Sequence, residues 1–214
     1  FRRVLFRSSR SNATNYVLDG AQNNDVYSNA PSLLPNPDAL QEFSVQTNNF
    51  SAEFGRQSGG VVNAITKSGT NTFGGTFSGY FRDDAFKSAD FVQKRVLPYQ
   101  DQQISGTFGG PIVRNRAHFF GNYEYEREPQ TYSFSSPYPS FNVDLIGTRV
   151  ETKGGGRIDF QFNPQIHMTV RGNTSLNDMP YDSRYTGGSN KHPSSAIKTD
   201  RHSNDLRSEE HTSE

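Results

Sequence analysis

The sequence predicts a mainly β protein: a small α+β module followed by antiparallel strands of an incomplete transmembrane β-barrel. Three observations carry that prediction. From Thr70 onward, apolar and polar residues alternate with a period of two. Each run shows Phe, Ile and Gly on one face, with charged or amide side chains on the other. The links between runs also alternate: long over 83–102, tight over 114–116, long over 128–152, tight over 164–165. Outer-membrane barrels combine these features, because one face meets lipid and the other a wet interior, with short turns at one end and long loops at the other.

The two ends are set apart first. Residues 1–8 read FRRVLFRS and residues 207–214 read RSEEHTSE. Codons TTC AGA CGT GTG CTC TTC CGA TCT encode the first, and their reverse complement encodes the second. One inverted DNA segment at both termini is expected of translated sequencing adapter, so both octapeptides are left out of the fold as adapter-derived artefacts. The chain is then expected to be an internal fragment.

Asn15 to Gly20 reads as a short strand, and Gln22-Asn23-Asn24-Asp25 as turns held by Asx side chains. A calcium loop at Asp19, Asn23, Asn24 and Asp25 lacks the spacing and terminal Glu of an EF-hand, so plain turns are the better reading. Pro31, Pro35 and Pro37 make residues 32–38 an extended connector. Asn36-Pro37 suits a helix start, with Asn as cap and Pro in the first helical position, and predicts a short helix there. Glu42 to Thr47 alternates as a half-buried strand does. Val61 to Thr66 is a second β-prone run, between Gly59-Gly60 and Ser68-Gly69.

The later strands follow in order. Phe73, Gly75, Phe77, Gly79 and Phe81 oppose Gly74, Thr76, Ser78, Tyr80 and Arg82; Ile104, Gly106, Phe108, Gly110 and Ile112 oppose Gln103, Ser105, Thr107 and Gly109. Phe119, Gly121, Tyr123 and Tyr125 oppose His118, Phe120, Asn122, Glu124 and Glu126. After the second long loop, Ile158, Phe160 and Phe162 oppose Arg157, Asp159, Gln161 and Asn163. Pro164-Gln165 turns the chain, and Ile166, Met168, Val170 and Gly172 then oppose His167, Thr169, Arg171 and Asn173. That makes five strands, each near the ~9–11 residues that cross a bilayer. Beyond Ser175 the chain reads as loop. His118, Asn122, Glu124, Arg157, Asp159, Gln161, His167 and Arg171 are therefore candidates to line the lumen. Phe77, Phe108, Phe119, Phe160, Phe162, Met168 and Val170 are candidates to face lipid. Tyr80, Phe81, Tyr123 and Tyr125 fall where an aromatic girdle belongs, although ordinary cross-strand packing explains them nearly as well.

Several motifs in fixed order carry a family resemblance. The strand EFSVQT, the step Phe54-Gly55 and the run Gly59, Gly60, Val61, Val62, Asn63, Ala64, Ile65, Thr66, Lys67 through Thr70 resemble the plug domain of TonB-dependent outer-membrane receptors. Tyr16-Val17-Leu18-Asp19-Gly20 before them, with Gly109-Gly110-Pro111-Ile112 and Phe119 to Glu124 after them, is similar to the Oar-like branch. Phe54 stands where the family more often has Tyr, and Asn63-Ala64 depart from its Ile-rich run. The resemblance implies a plug over 11–70, barrel strands over 71–180 and a loop over 181–206. It also implies residence in the outer membrane of a Gram-negative bacterium, contact with its lipid, and energy delivered by a TonB-ExbB-ExbD complex. The cargo it implies is a scarce small ligand: a siderophore, cobalamin, glycan or peptide. External loops would bind the ligand, and force on a periplasmic box would move the plug.

Composition and motif searches narrow the alternatives. The 22 basic and 22 acidic residues balance to zero net charge, which gives no electrostatic case for nucleic acid. Mean hydropathy is −0.81, low for a soluble globule, yet the 13% aromatic content argues against general disorder. Absence of Cys excludes disulfides and thiolate metal sites. No run approaches the ~18 apolar residues of a transmembrane helix, which leaves strands as the only way across. His118, His167, His192 and His202 lack metal-ligand spacing, and Gly154-Gly155-Gly156-Arg157 lacks the Lys-Ser/Thr of a phosphate loop. Asp159, Glu124 and Glu126 come with no nucleophile or oriented base. Three Asn-x-Ser/Thr sequons are incidental. No catalytic residue, metal site or cofactor is expected, and the protein is not expected to be an enzyme. The competing class is a soluble secreted β-sandwich that binds glycans or serves in adhesion, with Tyr and Asn as its contacts.

Overall fold

The computed structural model describes residues 14–25, 29–47, 60–89, 94, 96, 100–134, 136–181 and 197–212. Phe54, Gly55, Gly59 and His192 lie outside the described residues, as does the whole first octapeptide.

The first sheet has four short strands in the order β2-β1-β4-β3: β1 (Thr14–Leu18), β2 (Ala21–Gln22), β3 (Leu40–Gln46) and β4 (Gly60–Thr66). β1 and β2 form a hairpin closed by Asp19-Gly20, with φ of 50° and 80°. Two positive φ values in a row are what a two-residue type I′ turn needs, and Asp-Gly supplies them cheaply. β1 runs parallel to β4, and β3 pairs antiparallel to it. The Asn-rich segment after β2 works as backbone mimicry: Asn24 accepts from Tyr16 N at 2.8 Å and donates to Thr14 O at 3.0 Å. Val17, Leu18, Leu33, Ala39, Val61 and Ala64 are buried and form the core of this sheet.

Two expectations for this region change. The helix expected after Asn36 is one 3-10 turn, Pro37–Ala39. Asn36 caps it and Pro starts it, but Leu40 is already extended and pairs with Thr66, so ladder hydrogen bonds outcompete a second turn. β3 was expected to be half-buried; it lies at the sheet edge, and its Phe43 and Val45 remain exposed.

The second sheet has six antiparallel strands in the order β10-β9-β8-β7-β6-β5 and does not close on itself. They are β5 (Gly74–Asp83), β6 (Gln100–Val113), β7 (Ala117–Phe134), β8 (Val143–Asn163), β9 (Ile166–Met179) and β10 (Thr199–Thr212). Each is joined to the next in sequence, so every pairing is a hairpin. The tight links hold as expected. Asn115 takes φ 61° in one, and Asn163 Oδ1 accepts from Gln165 N and Ile166 N, both at 2.8 Å, in the other.

The upper strands are longer than expected. Most of the loop expected over 128–152 is strand, because β7 and β8 stay paired from Ala117↔Phe160 to Phe134↔Val143. Pro and Ser obscured the alternation there, while the partner strand supplies the register that sequence alone cannot. The expected loop over 181–206 also ends early, at Thr199, where a sixth strand begins.

Candidate functional site

Residues directly opposite in an antiparallel ladder share a face, so the register sorts every strand residue. On one face, Ile104, Tyr125, Thr152 and Leu176 lie in a row; Gly110, Phe119, Ile158 and Val170 lie in a second row further down. All the lipid-facing candidates are on this outward face: Phe77 opposite Gly106, Phe108 opposite Gly121, Phe119 opposite Ile158, and Phe160 opposite Met168. Phe162 stacks on Phe160 with ring centroids 6.3 Å apart. Phe77 is 82% exposed and Phe162 64%, so this face has no protein cover. Phe73, Phe108 and Phe119 form an aromatic group near the tight-turn end, with centroids 5.7 to 6.4 Å apart.

The outward positions contain a sharply bounded belt. From Ile104 to Ile112, Ala117 to Tyr125, Thr152 to Phe162 and Ile166 to Leu176, none carries a charge. On β5 to β9, charges reappear outward only nearer the long-loop end, at Asp83, Arg127, Asp144 and Asp178. Although β6 to β9 run 14 to 21 residues, the uncharged stretch is 9 to 11. That is the ~9–11 residues a tilted strand uses to cross a hydrocarbon core.

The inward face is charged and cross-linked. His118, Asn122, Glu124, Arg157, Asp159, Gln161, His167 and Arg171 all fall on it: His118 pairs with Asp159, Glu124 with Lys153, Arg157 with Arg171, and Gln161 with His167. Asp159 accepts from Arg157 Nε at 2.9 Å and Thr169 Oγ1 at 2.8 Å; Lys153 Nζ lies 2.9 Å from Glu124 and 3.6 Å from Glu151. Arg149 reaches Glu126, Glu128 and Glu151 together. Sequence reading missed Arg149 and Glu151, which fell in the supposed loop, and Lys153, which directly follows it. Their period-two spacing, continuing to Arg157, was the available signal. Tyr80 also belongs to this inward face, opposite Gln103, so it leaves the expected girdle.

The small sheet meets the inward face through polar contacts. Arg171 donates to Asp19 O at 2.9 Å and lies 3.5 Å from its carboxylate; both side chains are at most 5% exposed. That carboxylate also holds Thr66 N at 2.7 Å. Asp38 accepts from Ser78 Oγ at 2.6 Å and from Ser105 Oγ at 3.3 Å. The motif residues explain themselves here. Gly60 opens β4 opposite Thr14; Val61 is buried while Val62 is half-buried; Asn63 lies between Val17 and Ser44; Thr66 caps onto Asp19; and Lys67 donates to Asp38 O at 2.7 Å. Among the described residues, no group of three or more His, Asp and Glu is placed to hold a metal ion.

Comparison with known proteins agrees with this geometry. Residues 65–143 match the family described as an outer membrane beta barrel domain. Over 128 residues the chain is 29% identical to the TonB-dependent transporter Oar of Myxococcus xanthus, a match covering 56% of this chain and 12% of that protein. These likenesses support reading the chain as a stretch of a TonB-dependent outer-membrane receptor. Its fold matches the crystal structure of the siderophore receptor PirA from Acinetobacter baumannii with a TM-score of 0.59 at 16% identity, covering 78% of this chain and 24% of that one. The receptor segment therefore spans about an eighth of the curated relative's length, and its place is the outer membrane of a Gram-negative bacterium. Nothing in this kinship is enzymatic.

Proposed function

We propose that residues 11–70 are the plug and residues 71–180 the first wall strands of a receptor that takes up a scarce small ligand with energy from a TonB-ExbB-ExbD complex. The observation that carries this is the uncharged outward belt backed by an ion-paired inward face. Charges such as Arg157 and Arg171 would each cost several kcal/mol in hydrocarbon, and ~2–4 kcal/mol for Arg at the midplane of a barrel's lipid face. On the inward face they meet carboxylates and the small sheet instead. In this reading the inward candidates line the lumen and the outward candidates touch lipid. A soluble β-sandwich would turn its apolar faces together, and here the apolar face is the uncovered one.

The adapter origin of the second octapeptide finds support in β10. Its pairing sets Glu210 beside Met168 and Ser208 beside Val170, placing a carboxylate outward within the belt. Native wall strands avoid that placement.

Fractionation of cells expressing the intact gene product tests the proposal. Extraction from the outer membrane only by detergent is expected, and a soluble monomer would refute it.

A further inference from the structure

Where the Pro37–Ala39 turn of the small sheet meets the long sheet, the two leave a cavity of about 220 Å³. Its wall side is a block of two cross-strand pairs on the inward face, Tyr80 opposite Gln103 and Arg82 opposite Asp101, with Ser105 beside them. Asn36, Pro37 and Asp38 form the other side. Asp38 ties the turn to the wall through Ser78 and Ser105, which fixes the distance between the two sides. The cavity lies next to the Asp83–Gln100 pair, at the long-loop end of the strands. Its polar groups are of one kind. Tyr80, 59% exposed, offers a ring face and a hydroxyl. Gln103 is half-buried and carries a donor and an acceptor on one planar group. Neither side chain makes a hydrogen bond among the described residues. Arg82 Nη1 stands 3.9 Å from Asp101 Oδ2, so a second planar donor adjoins a second acceptor. Across from them Asn36 is 2% exposed; its Oδ1 takes Asp38 N, while its Nδ2 has no acceptor. A buried N–H without an acceptor is costly, and an accepting atom of a ligand would remove that cost.

We propose that this cavity is a sugar subsite, holding one pyranose unit of a neutral glycan with its C–H face on Tyr80 and its hydroxyls on Gln103, Arg82, Asp101 and Asn36. The proposal rests on the uptake reading and deepens it by naming the cargo class. Size decides against the larger cargoes: the volume is below the ~300–1,000 Å³ of a pocket that encloses a drug-sized ligand, so it fits one ring and not a whole ferric chelate or corrin. Charge decides against an anion, since two carboxylates, Asp38 and Asp101, line the cavity against one guanidinium. Vicinal hydroxyls each give and take a hydrogen bond, which is what paired planar donors and acceptors satisfy.

Saturation-transfer NMR on the intact outer-membrane protein, in a detergent without a sugar headgroup, tests this. The probes are neutral gluco-, manno-, galacto- and xylohexaoses, with a ferric tris-catecholate and hexa-alanine as representatives of anionic and peptide cargo. At least one hexaose is expected to bind, displaced by neither of the other two. Tyr80→Leu removes the ring face at an exposed position and should weaken that hexaose about tenfold. Gln103→Trp fills the cavity with a side chain that strands accept, and should abolish binding while circular dichroism stays unchanged. A hexaose bound equally well by both variants, or a catecholate or peptide that displaces it, would overturn the assignment. A detergent-extracted protein that binds none of the hexaoses sinks this inference alone, whereas a soluble protein sinks the underlying membrane reading.

Discussion

The small sheet hides its apolar residues, while the long sheet displays them. In the first, Val17, Leu18, Val61 and Ala64 are at most 6% exposed, on strands of two to seven residues. In the second, Phe77, Phe108 and Phe162 are more than half exposed, while Glu124, Asp159, Thr169 and Arg171 are buried. The same alternation of side chains produces both, so residue pattern alone does not say where the inside is. The difference lies in the solvent each surface meets. Water drives the small sheet's apolar residues together. In the proposed reading the long sheet's outward face meets lipid, which removes that drive, because a Phe gains little by leaving one apolar surroundings for another. What then organises the wall is satisfaction of polar groups: ladder hydrogen bonds along the strands and ion pairs across the inward face.

This contrast can be broken most sharply in the small sheet. Val61→Asp places an unpaired carboxylate where 1% of the side chain is exposed, and should destabilise the sheet by more than about 4 kcal/mol. Hydrogen exchange would show β1 and β4 unprotected while the long strands stay protected. Equal loss in both sheets would mean that the two fold as one unit.

The junction comes next. Asp19→Ala removes one of the two carboxylates paired with buried Arg171, the other being Glu209, and the acceptor of Thr66 N, at a cost of about 3 kcal/mol. Adding Arg171→Met should recover part of that loss, since the buried guanidinium would otherwise keep one carboxylate where it had two. Denaturant midpoints of the two variants would measure the recovery, and its absence would assign the loss to Thr66 instead.

The smallest effect decides the outward face. Phe162→Arg should cost about 2 kcal/mol in refolding into lipid vesicles, less than the midplane maximum because Phe162 sits near the tight turn. In a water-soluble protein the same exposed position would change stability by no more than ~0.5 kcal/mol.

Much of the wall was legible in the sequence. Phe119, Tyr123 and Tyr125 against His118, Asn122 and Glu124 sort correctly by period alone, and the tight turns at 114–116 and 164–165 follow from Asn and Pro. Arg149 and Lys153 were not legible, since their strand is defined by pairing with Glu128 and Glu124 across more than twenty residues of chain. The turn at Pro37 carried correct capping signals, yet stops after three residues because β4 captures Leu40.

By itself, then, the amino-acid order determined which side chains travel together, because a strand's geometry puts every second residue on one face. Only the tertiary structure decided how far the strands extend, that Asp19 and Arg171 meet across 152 residues, and which face carries an unbroken uncharged belt. Those depend on register between strands, and register is a property of pairs that no single run of sequence contains.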